Sequence, residues 1–422
     1  MTRLPLLTWV LLFVTAPFFA QSLPAENWPQ FRGPEGNGHS IATNLPEKWS
    51  DSNNVAWKIP LAGEGWSSPI IWDGRIYLTA AVPTGNEQSR DRSLRTLCIA
   101  ADTGKEIWNI EVFRQGHEES FKIHNKNSHA SGTPLTDGER LYVHFGPQGT
   151  ACLAMDGTEI WQNREHSFDP QHGTGGSPIL VDDLIVFNCD GNETAEVVAL
   201  DRFTGKLRWK TSRPAHDHMQ KFAFCTPILI EVDGKKQIFS PGAYVAAAYA
   251  PKDGREIWRV DHPGFSVVPR PLYVHNHIYM ATSFLQSELL VIDPTGEGDV
   301  TKSHISGRIR RGAPHTPSPL IVDENLYLFS DDGIATCLDA VTGKEYWKKR
   351  IPGNYSSSPL YAEGKIYIAN ETGLCVVLEE GRKFKKLAQN PMKERVFASF
   401  APLDGALIIR GEENLYRINS DE

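Results

Sequence analysis

The chain has 422 residues and a net charge of −8, with 51 acidic against 43 basic side chains and no basic domain, which argues against nucleic acid as a partner. Its six cysteines include no CxxC, no CxxCH and no adjacent pair, so structural zinc, c-type haem and a vicinal disulfide all lack support.

Residues 1–22 read as a secretory signal: Arg3, an apolar run from Leu4 to Phe19, then Ala20-Gln21-Ser22 as a cleavage site. The run is short and Pro17 interrupts it, so a membrane anchor is the weaker reading. No cysteine follows it to carry a lipid. The mature chain is therefore expected to be periplasmic or secreted, with no transmembrane segment. In such a compartment disulfides are possible. Yet Cys98, Cys152, Cys337 and Cys375 each precede a repeat's turn, so they are expected in one buried slot of four different repeats, too far apart to bridge.

Residues 23–53 form a Gly/Pro-rich lead-in containing Trp28-Pro29-Gln30-Phe31-Arg32-Gly33-Pro34, which predicts ordered but irregular structure. Glu35 is a lone acid among glycines, too few ligands for calcium.

From residue 54 a unit repeats. Its clearest copy is Ala-Leu-Asp-Arg-Phe-Thr-Gly-Lys-Leu-Arg-Trp at 199–209, a strand, a turn and a second strand. Asp201 and Thr204 can bond the turn backbone, and Gly205 supplies the positive φ of a tight bulged hairpin. The Gly-to-Trp offset recurs at Gly104 and Trp108, Gly157 and Trp161, Gly254 and Trp258, and Gly343 and Trp347. The turns at Gly296 and Gly381 have no such Trp, so two looser seams are expected. A second landmark opens each unit, a short residue before proline: Ser68-Pro69, Thr133-Pro134, Ser177-Pro178, Thr226-Pro227, Ser318-Pro319, Ser358-Pro359 and Ala401-Pro402, with Arg270-Pro271 in the fifth unit. Eight openings, each followed by short alternating strands and no helical period, predict an all-β, eight-bladed propeller of four-stranded antiparallel blades over 54–418. The last unit ends one strand short, while Asn54 to Pro60 is a Trp strand without a blade. It is expected to close the eighth blade and remove a sheet edge.

These turns, complete as Asp-x-x-Thr-Gly-x-x-x-Trp at 201–209 and 339–347, resemble the pyrroloquinoline-quinone-type repeat propellers. The lead-in resembles that of exported bacterial propellers of the BamB-like type. The resemblance implies that Trp57, Trp108, Trp161, Trp209, Trp258 and Trp347 pack across the gaps between blades. It covers both quinone-dependent dehydrogenases and quinone-free scaffolds, so it predicts fold better than function.

Ligand sites in propellers gather at one mouth of the channel, where residues just before each innermost strand converge. That ring holds Trp66, Asn127, His129, His172, Phe222, Arg270, Arg310, His315, Tyr355, Phe397 and Ser399. The candidate ligand residues are Trp66, Asn127, His129, His172, Arg310, His315 and Tyr355; none is assigned a catalytic or metal role. Their polarity suits a small polar or anionic ligand. The basic clusters at 308–311 and 382–386 read as solvated loops. The His-x-His pairs, His216 with His218 and His275 with His277, lie outside the mouth and make no metal site.

A calcium–quinone centre needs oxygen ligands and a carboxylate base, and the ring contains neither Asp nor Glu. Glu118 and Glu119, in a long insertion of blade two, are the acids that could fold over the mouth. The reading is therefore an exported, monomeric scaffold binding a protein partner or a small ligand, with no cofactor. The alternative is a pyrroloquinoline quinone- and calcium-dependent alcohol or sugar dehydrogenase.

Overall fold

The turn at 199–209 folds as its residues dictate. The Asp201 carboxylate accepts hydrogen bonds from the Phe203 and Thr204 amides at 3.0 and 2.9 Å and from the Thr204 hydroxyl at 3.0 Å. Gly205 has φ +69°, and a Cβ there would lie 2.5 Å from the Trp161 ring of the preceding blade. Backbone and neighbour both require glycine. The strand register slips between Ala199 and Leu200, which is the expected bulge.

The computed structural model describes residues 26–85, 90–119, 123–214, 216 and 218–420, so the predicted signal at 1–22 lies outside the described residues. Eight antiparallel sheets follow one another around a ring. Blade one comprises Ile70–Trp72, Arg75–Pro83, Arg92–Ala100 and Glu106–Gln115, from the axis outward. Blade eight comprises Ala401–Leu403, Ala406–Arg410 and Asn414–Asn419, and Val55–Pro60 supplies its outer strand. The register pairs Trp57 with Arg417 and Pro60 with Asn414, so the two ends of the chain close the ring as expected.

The tryptophans stitch neighbouring blades. Their indole N–H groups donate to turn carbonyls of the next blade: Trp57 to Ala101 at 3.1 Å, Trp108 to Met155 at 3.2 Å, Trp161 to Arg202 at 3.0 Å, Trp209 to Pro251 at 2.8 Å and Trp347 to Gly381 at 3.0 Å. Trp258 departs from this pattern, because its N–H turns inward to Gln237 of its own blade at 2.7 Å. Gly298–Asp299 adds a parallel fifth strand along it instead.

The two seams without a tryptophan differ. At Gly343 the only preceding-blade atom near where a Cβ would stand is Ile309 Cγ1, at 3.9 Å, so no ring packs over this turn. The seam between blades seven and eight is filled, contrary to expectation. Trp49 of the lead-in lies buried there, with its amide bonded to Asn390 and its indole N–H on the Met392 sulfur at 3.1 Å.

Sequence placed Cys375 in the same slot as three other cysteines, and register corrects this. Cys98, Cys152 and Cys337 face the seam tryptophans Trp108, Trp161 and Trp347, whereas Cys375 faces Asn390, two residues away from the equivalent slot. All six thiols are free and buried. The Arg308 cluster is also not a solvated loop. Ile305–Ile309 is the outer strand of blade five, and Arg308 and Arg310 pair with the buried carboxylate of Glu288.

Candidate functional site

The short residue before each proline has a geometric purpose. Proline lacks an N–H and so suits the unpaired inner edge of a blade, while the residue before it closes a ring of hydrogen bonds around the axis. The amide of Ser68 donates to the Thr133 hydroxyl, that of Thr133 to Ser177, and that of Ser177 to Thr226, each at 3.0 Å. On the other side Arg270 donates to Ser318, Ser318 to Ser358, Ser358 to Ser399 and Ser399 to Ser68, at 2.9–3.0 Å. The blade-eight member is therefore Ser399, two residues before the Ala401-Pro402 step that sequence selected. The ring breaks once, where Arg270 replaces the hydroxyl that the Thr226 amide would meet.

Above this ring opens a cavity of about 890 Å³. Ser68, Thr133, Ser177, Thr226, Ser318, Ser358 and Ser399 reach its wall, and Phe31 of the lead-in forms part of its floor. The lead-in crosses the disc beneath: Trp28 bridges to Ile71, Pro29 accepts from Thr136, Arg32 donates to Pro319 and Tyr361 pairs with Gly38. One end of the channel is thus plugged, and the other is the mouth.

Four of the seven predicted residues line the cavity: Trp66, Asn127, His172 and His315. Asn127 is fixed by a bond to the His172 carbonyl at 3.0 Å and by accepting from Ser128 and Ser131. Trp66 packs against Phe397 at 4.7 Å, and the Arg395 guanidinium lies over both rings. The other three fall elsewhere. Tyr355 is fully buried in the core of blades six and seven, with its amide on the Asp331 carbonyl and its phenol pushed up by burial. Arg310 is drawn to Glu288 at the outer end of blade five. His129 is buried off the cavity, where desolvation and the Arg92 charge hold its imidazole down to about 4 and hence neutral.

Sequence reading missed two features. One is an acid on the wall, Asp331, whose carboxylate accepts from the His315 and Thr316 amides at 2.7 and 3.2 Å and from the Thr316 hydroxyl at 2.5 Å. The other is an aromatic arc on the side of blades three to five. Phe222, Phe224, Phe265 and Phe284 make a chain of ring contacts at 5.3–5.9 Å, with His172 edge-on at one end and His315 at the other. Beside it Met219, Phe284 and Leu285 are 85%, 52% and 66% exposed. The only sequence signal was the run of apolar residues in otherwise polar connections, Met219, Phe222, Phe224 and Phe284-Leu285.

The blade-two insertion does fold over the mouth, but not with its acids. Lys126 lines the cavity and reaches across blades one and eight to Glu371 at 2.7 Å, while the Asn125 carbonyl accepts from Arg395 at 3.0 Å. Glu118 and Glu119 sit in an exposed single turn, His117–Glu119, away from the cavity wall. Among the described residues no group of three His, Cys, Asp or Glu side chains is placed to hold a metal ion.

A closed ring of Trp-stitched, four-stranded blades around a plugged channel defines a quinoprotein-type repeat propeller. The family profile described as outer membrane protein assembly factor BamB matches residues 82–223, 150–327 and 241–384, and the chain belongs to that family. It is 22% identical over 362 residues to the outer membrane protein assembly factor BamB of Yersinia pestis, covering 85% of this chain and 78% of that one. Among solved structures, BamB from Moraxella catarrhalis superposes with a TM-score of 0.60 at 12% identity, over 86% of this chain and 99% of that one. A europium-containing methanol dehydrogenase superposes with a TM-score of 0.64 at 10% identity, over 93% and 98% respectively. At such identities the two superpositions define the fold alone. No helix among the described residues is long and apolar enough to cross a membrane.

Proposed function

We propose that this protein is an exported binding scaffold, monomeric and without redox chemistry of its own, that takes an apolar segment of a protein partner at the mouth. The observation that carries this reading is the aromatic arc with its exposed rim at Met219, Phe284 and Leu285. An exposed apolar rim around a concave site marks an interaction surface, since a lone soluble body gains nothing from leaving such groups in water. The matching family and its Yersinia pestis member are named for outer membrane protein assembly, which is consistent with a partner in a bacterial envelope.

A quinone–calcium centre fits the wall poorly. Among the described residues the one lining carboxylate is Asp331, which already accepts three bonds from His315 and Thr316 of the adjoining loop, and calcium takes 6–8 oxygen ligands. Trp66 and the arc could stack a flat ring, but among the described residues no further lining carboxylate remains as metal ligand or base. In place of the polar or anionic ligand expected from the sequence, the arc favours an apolar group flanked by hydrogen-bonding neighbours.

A photo-crosslinking residue placed at Phe284 should trap a discrete envelope protein in living cells, and one placed at Asp404 on the far side should not. Replacing Leu285 by Ser should weaken the trapped band several-fold. Equal trapping from both sites, or dye reduction by the purified protein that requires both pyrroloquinoline quinone and calcium, would reject the scaffold reading.

A further inference from the structure

Beneath the cavity floor the fold buries two positive charges with no negative one to meet them. Arg32 and Arg270 are 2% and 4% exposed, and neither forms an ion pair with any carboxylate among the described residues. One loop, 31–38, holds both. Arg32 Nη2 donates to the Asn37 and Pro319 carbonyls at 2.5 and 2.8 Å. Arg270 Nη1 donates to the Phe31 carbonyl at 2.5 Å, and Nη2 reaches Gln30 Oε1 at 3.5 Å. The two glycines of the loop show how closely it is wrapped. A Cβ on Gly36 would collide with the Arg270 guanidinium, and one on Gly38 would lie 2.7 Å from Arg32 Nη2.

Three donors remain after these bonds. Arg32 Nε, Arg32 Nη1 and Arg270 Nε are buried and meet no acceptor among the described residues. Each guanidinium stays charged at neutral pH, although burial and then its neighbour lower Arg32 to about 9, and burial lowers Arg270 to about 10. An uncompensated buried charge is among the costliest features a fold can carry, and here two sit within Coulombic reach of each other. Arg270 is also the member that breaks the hydroxyl ring, at a position where the seven other blades place serine or threonine before the proline or at its equivalent. A serine would close the ring without burying any charge. The arginine therefore needs a counter-charge to account for it.

We propose that Arg32 and Arg270 together bind a small inorganic anion, of the halide class, on the propeller axis directly behind Phe31. Two positive charges and three unspent N–H donors recognise an anion, and enclosure makes each bond strong. The close approach of backbone at Gly36 and Gly38 favours a monatomic ion over a tetrahedral oxyanion. Because Arg32 belongs to the lead-in and Arg270 to blade five, the ion joins the plug to the ring. This site is separate from the mouth and stands whether or not a protein docks there.

Two measurements on the full chain test it. Melting in sodium chloride and in sodium gluconate at equal ionic strength should differ by about 3–5 °C in favour of chloride once the ion exceeds its dissociation constant a hundredfold. Crystals grown in bromide should show one anomalous peak between the two guanidinium groups. Arg270→Ser, which completes the hydroxyl ring, should abolish both the chloride shift and the peak. A chloride shift of the same size in Arg270→Ser, an anomalous map with no peak at this position, or tetrahedral density there, would overturn the proposal. If Arg270→Ser does not fold, the map of the unaltered protein decides alone.

Discussion

A chain beginning at Leu61 will not hold a closed ring. It lacks Val55–Pro60, so the row of N–H and C=O groups along Asn414–Asn419 becomes a free sheet edge, the standard template for aggregation. It also loses Trp57, which covers Gly104 of blade one and bonds the Ala101 carbonyl. With the strand goes the lead-in, whose Trp28, Leu45 and Trp49 are buried in one cluster with residues of blades one, seven and eight. Each such side chain is worth about 1.5–3 kcal/mol in transfer alone, so the sum approaches the whole stability of an ordinary domain, about 5–15 kcal/mol. A chain beginning at Asn54 separates the two effects. It keeps the closing strand and gives up the plug, so it should stay monomeric but melt well below the full protein. Size-exclusion chromatography and thermal melts of the two truncations give the answer. A Leu61 chain that elutes as a monomer and melts with the full protein would show that the eighth blade does not depend on the N-terminal strand.

The contrast between those truncations mirrors what the sequence could reveal. The hairpin turns were legible because their chemistry is local: Asp201 bonds residues two and three positions away, and Gly205 sits between them. The closing strand was legible by counting, since one blade lacked a strand and one strand lacked a blade. The site was less so. Arg310 and Tyr355 precede inner strands just as Asn127 and His172 do, and only the pull of Glu288 on one and the packing of the other between two blades separates them from the cavity. Trp49 filling the seam at Met392 and Arg270 meeting Phe31 are contacts between residues hundreds of positions apart. Neither leaves any trace in local spacing. The aromatic arc was hidden for another reason: its rings come one or two at a time from three connections, each of which alone reads as a loop with a stray apolar residue.

Acid should unfold this protein through its interior histidines. Burial holds His144 down to about 3, with the charge of His166 adding to the effect, and its ring sits 2.8 Å from the Thr150 hydroxyl. Burial likewise holds His262 down to about 3, against the opposing pull of the Gly242 carbonyl and with smaller help from the charges of Arg213, His216 and Arg308. His129 stands at about 4, from burial and then Arg92. All three folded-state values lie below the ordinary imidazole value near 6.5, so the unfolded chain binds more protons throughout the window between them. Stability is therefore complete above pH 6.5 and falls as pH drops toward 4. Near pH 5 unfolding should take up close to three protons, which corresponds to a slope of about 4 kcal/mol per pH unit. Between pH 6.5 and 4.5 the loss is about 7 kcal/mol, enough to bring a domain of ordinary stability to the edge of unfolding. Urea titrations at half-unit steps of pH measure that slope directly. His144→Gln should lower it by about a third while leaving the acid limb in place, because the other two imidazoles still titrate. A stability that stays flat from pH 7 to 5 would mean that these rings are charged in the folded protein, or that they reach water by local opening before the ring itself gives way.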